Sequence, residues 1–311
     1  MVVQVAFRVT RRAPLNRRGI SPFMAAHYED RYWTSSDGLN LHYRYYPGPE
    51  GGTALPALCM HGLTRNARDF AGLAEDLAAH RPVLVTEMRG RGMSDYAPVS
   101  DTYNPLVYVA DVEKLLAEQG IARFIAIGTS MGGLMTMLLA QAQPGRIAAA
   151  VMNDVGPVVE PVGLARISSY VGQGRSYPAW VHAARGLEAV HAPAFPDYTL
   201  DQWLEMAKRT MVVTQNGRIG FDYDMAIAEP FDKPGNAAPP NLWLAYEALR
   251  DVPMLLVRGE LSDLLTPDTV KQMAVRNPAM RTITVPRVGH APTLDEPEVR
   301  AAIHALLDGI S

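Results

Sequence analysis

Gly128-Thr129-Ser130-Met131-Gly132-Gly133 is the stretch on which the reading of this chain turns. A short apolar run, Arg123 to Ile127, precedes it, and Leu134 to Ala140 follows with the composition of a buried helix. In a strand, G-x-S-x-G, helix context the serine occupies a tight strand-to-helix turn, and the flanking positions must be nearly free of side chain for that turn to close. Gly128 and Gly132 meet the requirement. Such a turn lifts the Ser130 hydroxyl clear of the sheet and leaves the Met131 amide at a helix start, where unpaired N–H groups favour developing negative charge. Ser130 is therefore the candidate nucleophile.

Outward from the elbow, strands and helices alternate. Tyr28–Thr34 and Leu39–Tyr46 flank an Asp37-Gly38 turn and read as a β-hairpin. Leu55–Met60 is a short apolar strand running into His61-Gly62-Leu63-Thr64, and Ala67–His80 carries Phe70, Leu73, Ala74 and Leu77 at helical spacing. Pro82–Thr86 reads as a buried strand, Asn104-Pro105 opens a helix that Gly120 ends, and Arg146–Met152 reads as a further strand. The expected fold is α/β, a doubly wound and mostly parallel sheet. At Gly156 the rhythm breaks: helix-like segments near Leu164–Val171, Ala179–Val190, Leu200–Val213 and Leu242–Leu249 have no clear buried strand among them, and Phe231–Pro240 is a loop. Alternation resumes with Pro253–Val257, a helix capped by Thr266-Pro267, the strand Thr282–Val285 and a helix from about Glu296. The expectation is an α/β core over residues 27–156 and 251–311, an inserted helical cap over 157–250, and a loose or mis-started tail over 1–26 with Met24 as an alternative start.

A serine hydroxyl is a poor nucleophile at neutral pH, so a base must take its proton and a carboxylate must hold that base. Of the eight histidines, His290 stands between a strand and a helix, in a strand-end loop, and is the candidate base. Asp263, just beyond a strand end, is the leading carboxylate, with Asp154 and Glu260 as alternatives. Gly62 lets the loop after its strand turn amides inward, which makes Leu63 N–H and Met131 N–H the expected oxyanion donors, with His61 orienting the loop. Trp180, Trp203, Phe221, Tyr223, Trp243 and Tyr246 are available to line an apolar pocket, and Arg65 and Asn66 stand where an acidic substrate group would arrive.

Composition narrows the partners. The 311 residues carry a net charge of −3, which gives no reason to expect nucleic acid or an anionic surface as partner. Cys59, the single cysteine, sits in an apolar run and reads as a buried small hydrophobe. No apolar run approaches the ~20 residues of a membrane span, and in the arginine-rich start the apolar residues precede the arginines, the reverse of a secretory signal. We expect a cytoplasmic monomer or homodimer acting on a small molecule. Zinc-pair, P-loop and strand-linked dinucleotide motifs are absent from the sequence.

Taken in order, His61-Gly62-Leu63, the loop Arg89-Gly-Arg-Gly-Met-Ser-Asp95, the Ser130 elbow, Gly259 with Asp263, and Gly289-His290 resemble the α/β-hydrolase superfamily over about residues 28–310. The resemblance implies a Ser130–Asp263–His290 triad, a lid over the site, no cofactor, and a structural role for Asp95. Serine at the elbow disfavours the aspartate-nucleophile dehalogenases and epoxide hydrolases. An oxyanion loop of the single-glycine kind fits small to medium esters of primary and secondary alcohols. Two alternatives stay open: a meta-cleavage C–C hydrolase, which shares the Ser-Met-Gly-Gly elbow but is disfavoured by Leu63, Thr64, Arg65 and Ala291, and a ligand sensor of the same fold with little turnover.

Overall fold

Residues 28–232 and 241–310 are described by a computed structural model. The expected tail over 1–26 and most of the expected loop Phe231–Pro240 fall outside the described residues. The hairpin forms as β1 (Glu29–Thr34) and β2 (Asn40–Tyr46), antiparallel, with Gly38 at a positive φ of 88° in the turn. β3 (Ala57–Met60) leads through a 3₁₀ turn at Ala67–Phe70 into α1 (Ala71–Ala78), and β4 (Val83–Glu87) follows. Asn104 caps α2 (Pro105–Glu118) through its side chain, with proline in the first turn where a missing N–H costs nothing. β5 (Phe124–Thr129), α3 (Met131–Ala142) and β6 (Ile147–Asn153) complete the first half of the core.

From β6 the chain enters an insertion made of α4 (Pro161–Ser168), β7 (Ser176–Tyr177), α5 (Trp180–His191), α6 (Leu200–Thr210), β8 (Met211–Val213), β9 (Ile219–Phe221) and α7 (Trp243–Glu247). β10 (Met254–Gly259), α8 (Pro267–Arg276), β11 (Met280–Val285) and α9 (Pro297–Leu307) then finish the core. The main sheet has the order β1-β2-β4-β3-β5-β6-β10-β11; every neighbour pair from β4 onward is parallel, and the hairpin joins antiparallel at one edge.

Period-two alternation distributes the strands' side chains to two faces. Leu58, Met60, Phe124 and Ala126 pack with residues of α2 and α3 on one face, while Ala57, Cys59, Ile125 and Ile127 pack with α1 and α9 on the other. Cys59 is fully buried, as its apolar setting required. The insertion differs from the expectation of a wholly helical segment: β7, β9 and β8 form a three-stranded antiparallel sheet. Its own core gathers Ala183, Leu187, Phe195, Trp203, Met206 and Ile219. Met211–Val213, expected to continue α6, turns into β8 because the backbone becomes extended at Met211.

Candidate active site

The elbow owes its shape to three glycines. A Cβ on Gly128 would lie 2.4 Å from the Gly132 backbone, one on Gly132 would lie 2.0 Å from Met60 O, and one on Gly133 would lie 2.3 Å from Val155 Cγ1. Strand and helix can approach this closely only without those carbons. Between them Ser130 is held at φ 52°, ψ −114°, a conformation non-glycine residues rarely adopt. Ser130 N–H donates to Asn153 O at 3.0 Å, which fixes the turn against β6.

His290 reaches the serine from the loop after β11, with Nε2 2.8 Å from Ser130 Oγ. Its Nδ1 lies 2.8 Å from Asp154 Oδ2. The expected partner was Asp263, and the structure corrects it. The Asp263 carboxylate is bound at both oxygens by Arg166 of α4, Nε to Oδ2 at 2.5 Å and Nη2 to Oδ1 at 2.8 Å. Burial works to raise the Asp263 carboxyl, and the bonds and charge of Arg166 outweigh it, so the group is held below the usual carboxylate range. Asp154 is fully buried one residue beyond β6, at a positive φ of 56°. Its other oxygen, Oδ1, accepts from Gly259 N–H at 2.9 Å, and its own N–H donates to Val257 O at 2.8 Å, so β10 holds both the backbone and the carboxylate of Asp154. Glu260, the other alternative, accepts instead from the Arg287 amide.

Of the two expected oxyanion amides, Leu63 N–H lies in the loop after β3 and Met131 N–H at the start of α3. Neither Leu63 N–H nor Met131 N–H has a hydrogen-bond partner among the described residues. The peptide that bears Leu63 N–H is held at its other end: His61 Nδ1–H donates to Gly62 O at 2.7 Å, while His61 Nε2 accepts from Met88 N–H at 3.1 Å. Burial first, and then the charge of Arg91, push this imidazole down to about 4, so it is neutral and supplies one donor and one acceptor. Arg91 is buried and braces the next carbonyl, Nε to Leu63 O at 2.9 Å. The reason given for Gly62 is corrected: it has no positive φ, and a Cβ there would make only contacts of 3.4 Å and beyond, to Arg65 Cγ and Ser130 Cβ among others. Beneath the site Arg89 pairs with Asp111 and Asp37, and Asp95 accepts from Asn40 N–H, the structural role expected of it.

A cleft of about 1290 Å³, open mouth included, lies over Ser130 and His290 between the oxyanion loop and the insertion. Arg65 and Tyr223 line it, as expected, and so does Phe221. Trp180 and Trp203 do not. Trp203 is buried within the insertion against Phe195 and Tyr198, and Trp180 packs on the same cluster. Asn66 turns away to cap the 3₁₀ turn, and Tyr246 is buried with its hydroxyl on Met273 O. The cleft wall also holds Tyr170, Arg175, His191 and Arg209, none of which the sequence singled out. Tyr170 and Arg175 lie in the loop between α4 and β7, His191 ends α5 and Arg209 lies near the end of α6, and no short motif joins them. Burial, then Arg65 and Arg166, lower His191 to about 4. Among the described residues no cluster of three or more His, Cys, Asp or Glu is placed to hold a metal ion, and no helix is long and apolar enough to cross a membrane.

Residues 57–303 match the family model described as Alpha/beta hydrolase family. The 3-hydroxybutyrate-oligomer hydrolase of Cupriavidus necator is 34% identical over 250 residues, covering 77% of this chain and 84% of that protein. The 2-(acetamidomethylene)succinate hydrolase of Mesorhizobium japonicum is 24% identical over 252 residues, 80% of this chain and 86% of that one. A crystal structure of an alpha/beta hydrolase from Novosphingobium aromaticivorans superposes with a TM-score of 0.87 at 57% identity, covering 92% of this chain and 99% of that chain. Both the extent of the family match and the length shared with these relatives lead to one conclusion: the chain belongs to the alpha/beta hydrolase family.

Proposed function

We propose that the chain is a serine hydrolase of small to medium carboxylic esters, working through Ser130, His290 and Asp154, with the insertion as a lid over the site. The observation that carries this is the unbroken relay from Ser130 Oγ through both nitrogens of His290 to Asp154, beside the Leu63 and Met131 amides, which have no partners among the described residues. Ser130 Oγ attacks the ester carbonyl while its proton passes to His290 Nε2. Asp154 holds the Nδ1–H tautomer and stabilises the imidazolium. The carbonyl oxygen, now anionic, accepts from Leu63 N–H and Met131 N–H. His290 returns the proton to the departing alkoxide, leaving an acyl-Ser130. Water then attacks the acyl carbon, gives its proton to His290, and the acid leaves as Ser130 recovers that proton.

The relative from Cupriavidus necator acts, by its name, on oligomers of a short hydroxy acid, and this supports short hydroxyacyl esters as the first substrates to try. The test is hydrolysis of p-nitrophenyl esters from acetate to long chains, with Ser130→Ala alongside. Multiple turnovers on short or medium chains, lost by several orders of magnitude in the variant, are expected. Full activity in Ser130→Ala would end the reading, and no turnover by the wild type would favour a sensor.

A further inference from the structure

The charge on the cleft wall is uneven. Three arginines line it, Arg65, Arg175 and Arg209, against one carboxylate, Asp69. That carboxylate is already taken: Arg65 donates to it through Nε at 2.6 Å and Nη2 at 2.7 Å. Arg209 is matched by Asp295 at 2.6 Å, outside the wall. Arg175 has no acidic partner among the described residues; its side chain donates only to the neutral amide oxygen of Gln173, at 3.1 Å. His191 is held neutral and Arg166 is bound to Asp263, so neither changes this balance.

The backbone at Arg175 is anchored although its side chain is exposed. The next residue, Ser176, begins β7, pairs with Gly220 of β9, and is gripped by Arg218, Nε to Oγ at 2.8 Å and Nη2 to O at 2.8 Å. Arg218 also has no carboxylate partner among the described residues, so a second positive charge stands behind the first. A neutral ester leaves this charge facing water. An ester with a free carboxylate at the end remote from the scissile bond would satisfy it, and Arg presents a planar fork suited to a carboxylate.

We propose that the cleft selects esters bearing a free carboxylate, such as linear oligomers of short hydroxy acids, and that Arg175 binds that carboxylate. This rests on the ester-hydrolase reading for the reaction, though not for the binding. Because Arg175 is exposed, the expected discrimination is modest, about fivefold, and it is screened by salt.

The test separates binding from turnover. The linear ester dimer of a 3-hydroxyalkanoic acid and the methyl ester of that dimer are titrated by calorimetry into the Ser130→Ala protein, which cannot turn them over in the proposed mechanism. The acid should bind about fivefold tighter at 50 mM NaCl, the difference should shrink at 1 M NaCl, and it should vanish in Ser130→Ala/Arg175→Gln. Equal affinities for acid and methyl ester, or a preference that survives Arg175→Gln, would overturn the subsite. Wild-type hydrolysis of p-nitrophenyl butyrate, which carries no carboxylate, is run separately. Discrimination in binding without that hydrolysis would leave the subsite standing and remove the hydrolase reading.

Discussion

Asp154 and Asp263 stand just beyond the ends of adjacent strands, β6 and β10, and either position could present a carboxylate to a histidine arriving from the loop after β11. What separates them is Arg166, 97 residues away in sequence from Asp263, which occupies both oxygens of that carboxylate. Nothing near Asp263 in the chain announces this, which is why the serine and the histidine were legible and the acid was not. In the proposed mechanism Asp154→Asn should lower kcat about 10³–10⁴-fold by disturbing the imidazole tautomer. Asp263→Asn should cost tenfold or less; steady-state kinetics showing the reverse ranking would return the acid to Asp263.

His61 makes a prediction of another kind at the same scale. Its folded pKa of about 4 lies below the ordinary 6.5, so the unfolded chain binds the proton first. Stability from this group is complete above pH 6.5 and is lost as pH falls toward 4, by roughly 3 kcal/mol at the low end. Urea midpoints should therefore decline across that window, and because His191 is lowered to about 4 as well, His61→Gln should roughly halve the decline. Glu87 and Asp37, both lowered to about 2, lose their contributions as pH falls from the ordinary carboxylate range to about 2, a window that follows that of the histidine. A decline of equal size in His61→Gln would show that other groups cause it.

At the scale of elements, apolar runs four to seven residues long made the parallel strands readable, because both faces of the main sheet are covered. The small sheet escaped for the opposite reason. β7 has two residues and β8 and β9 have three each, too short for any alternation to register, and β8 follows α6 without a break. The strand-to-helix junction offers the sharper experiment. Gly132→Ala places a carbon 2.0 Å from a backbone oxygen that cannot swing aside, and should cost several kcal/mol or abolish folding. Gly62→Ala meets ordinary contacts and should shift stability by about 1 kcal/mol or less. Denaturant melts of the two variants compare them directly, and equal losses would refute the close-packing argument for the elbow.

Across the whole molecule, the insertion is joined to the core by four Arg–Asp pairs among the described residues. These are Arg68–Asp222 at 2.9 Å, Arg166–Asp263, Arg209–Asp295 and Arg287–Asp197. Pairs of this kind at partly exposed positions weaken with ionic strength, whereas apolar packing does not. At 1 M NaCl, hydrogen exchange should quicken in α4, α5 and α6 while β5 and β6 keep their protection. Uniform behaviour across both regions would mean that packing alone holds the insertion.

The signs of those pairs follow a pattern. The core offers two arginines, Arg68 and Arg287, and two aspartates, Asp263 and Asp295, and the insertion returns the complement. Such an arrangement works as a keyed socket. An insertion transplanted from another protein, even one of the right size, would meet like charges wherever its own arginines and aspartates failed to match, and would seat askew or not at all. Exchange of this segment to alter what the cleft accepts therefore has to carry Asp222, Arg166, Arg209 and Asp197 with it, along with Glu247, which pairs with Arg276 of α8, and the apolar core of the segment itself.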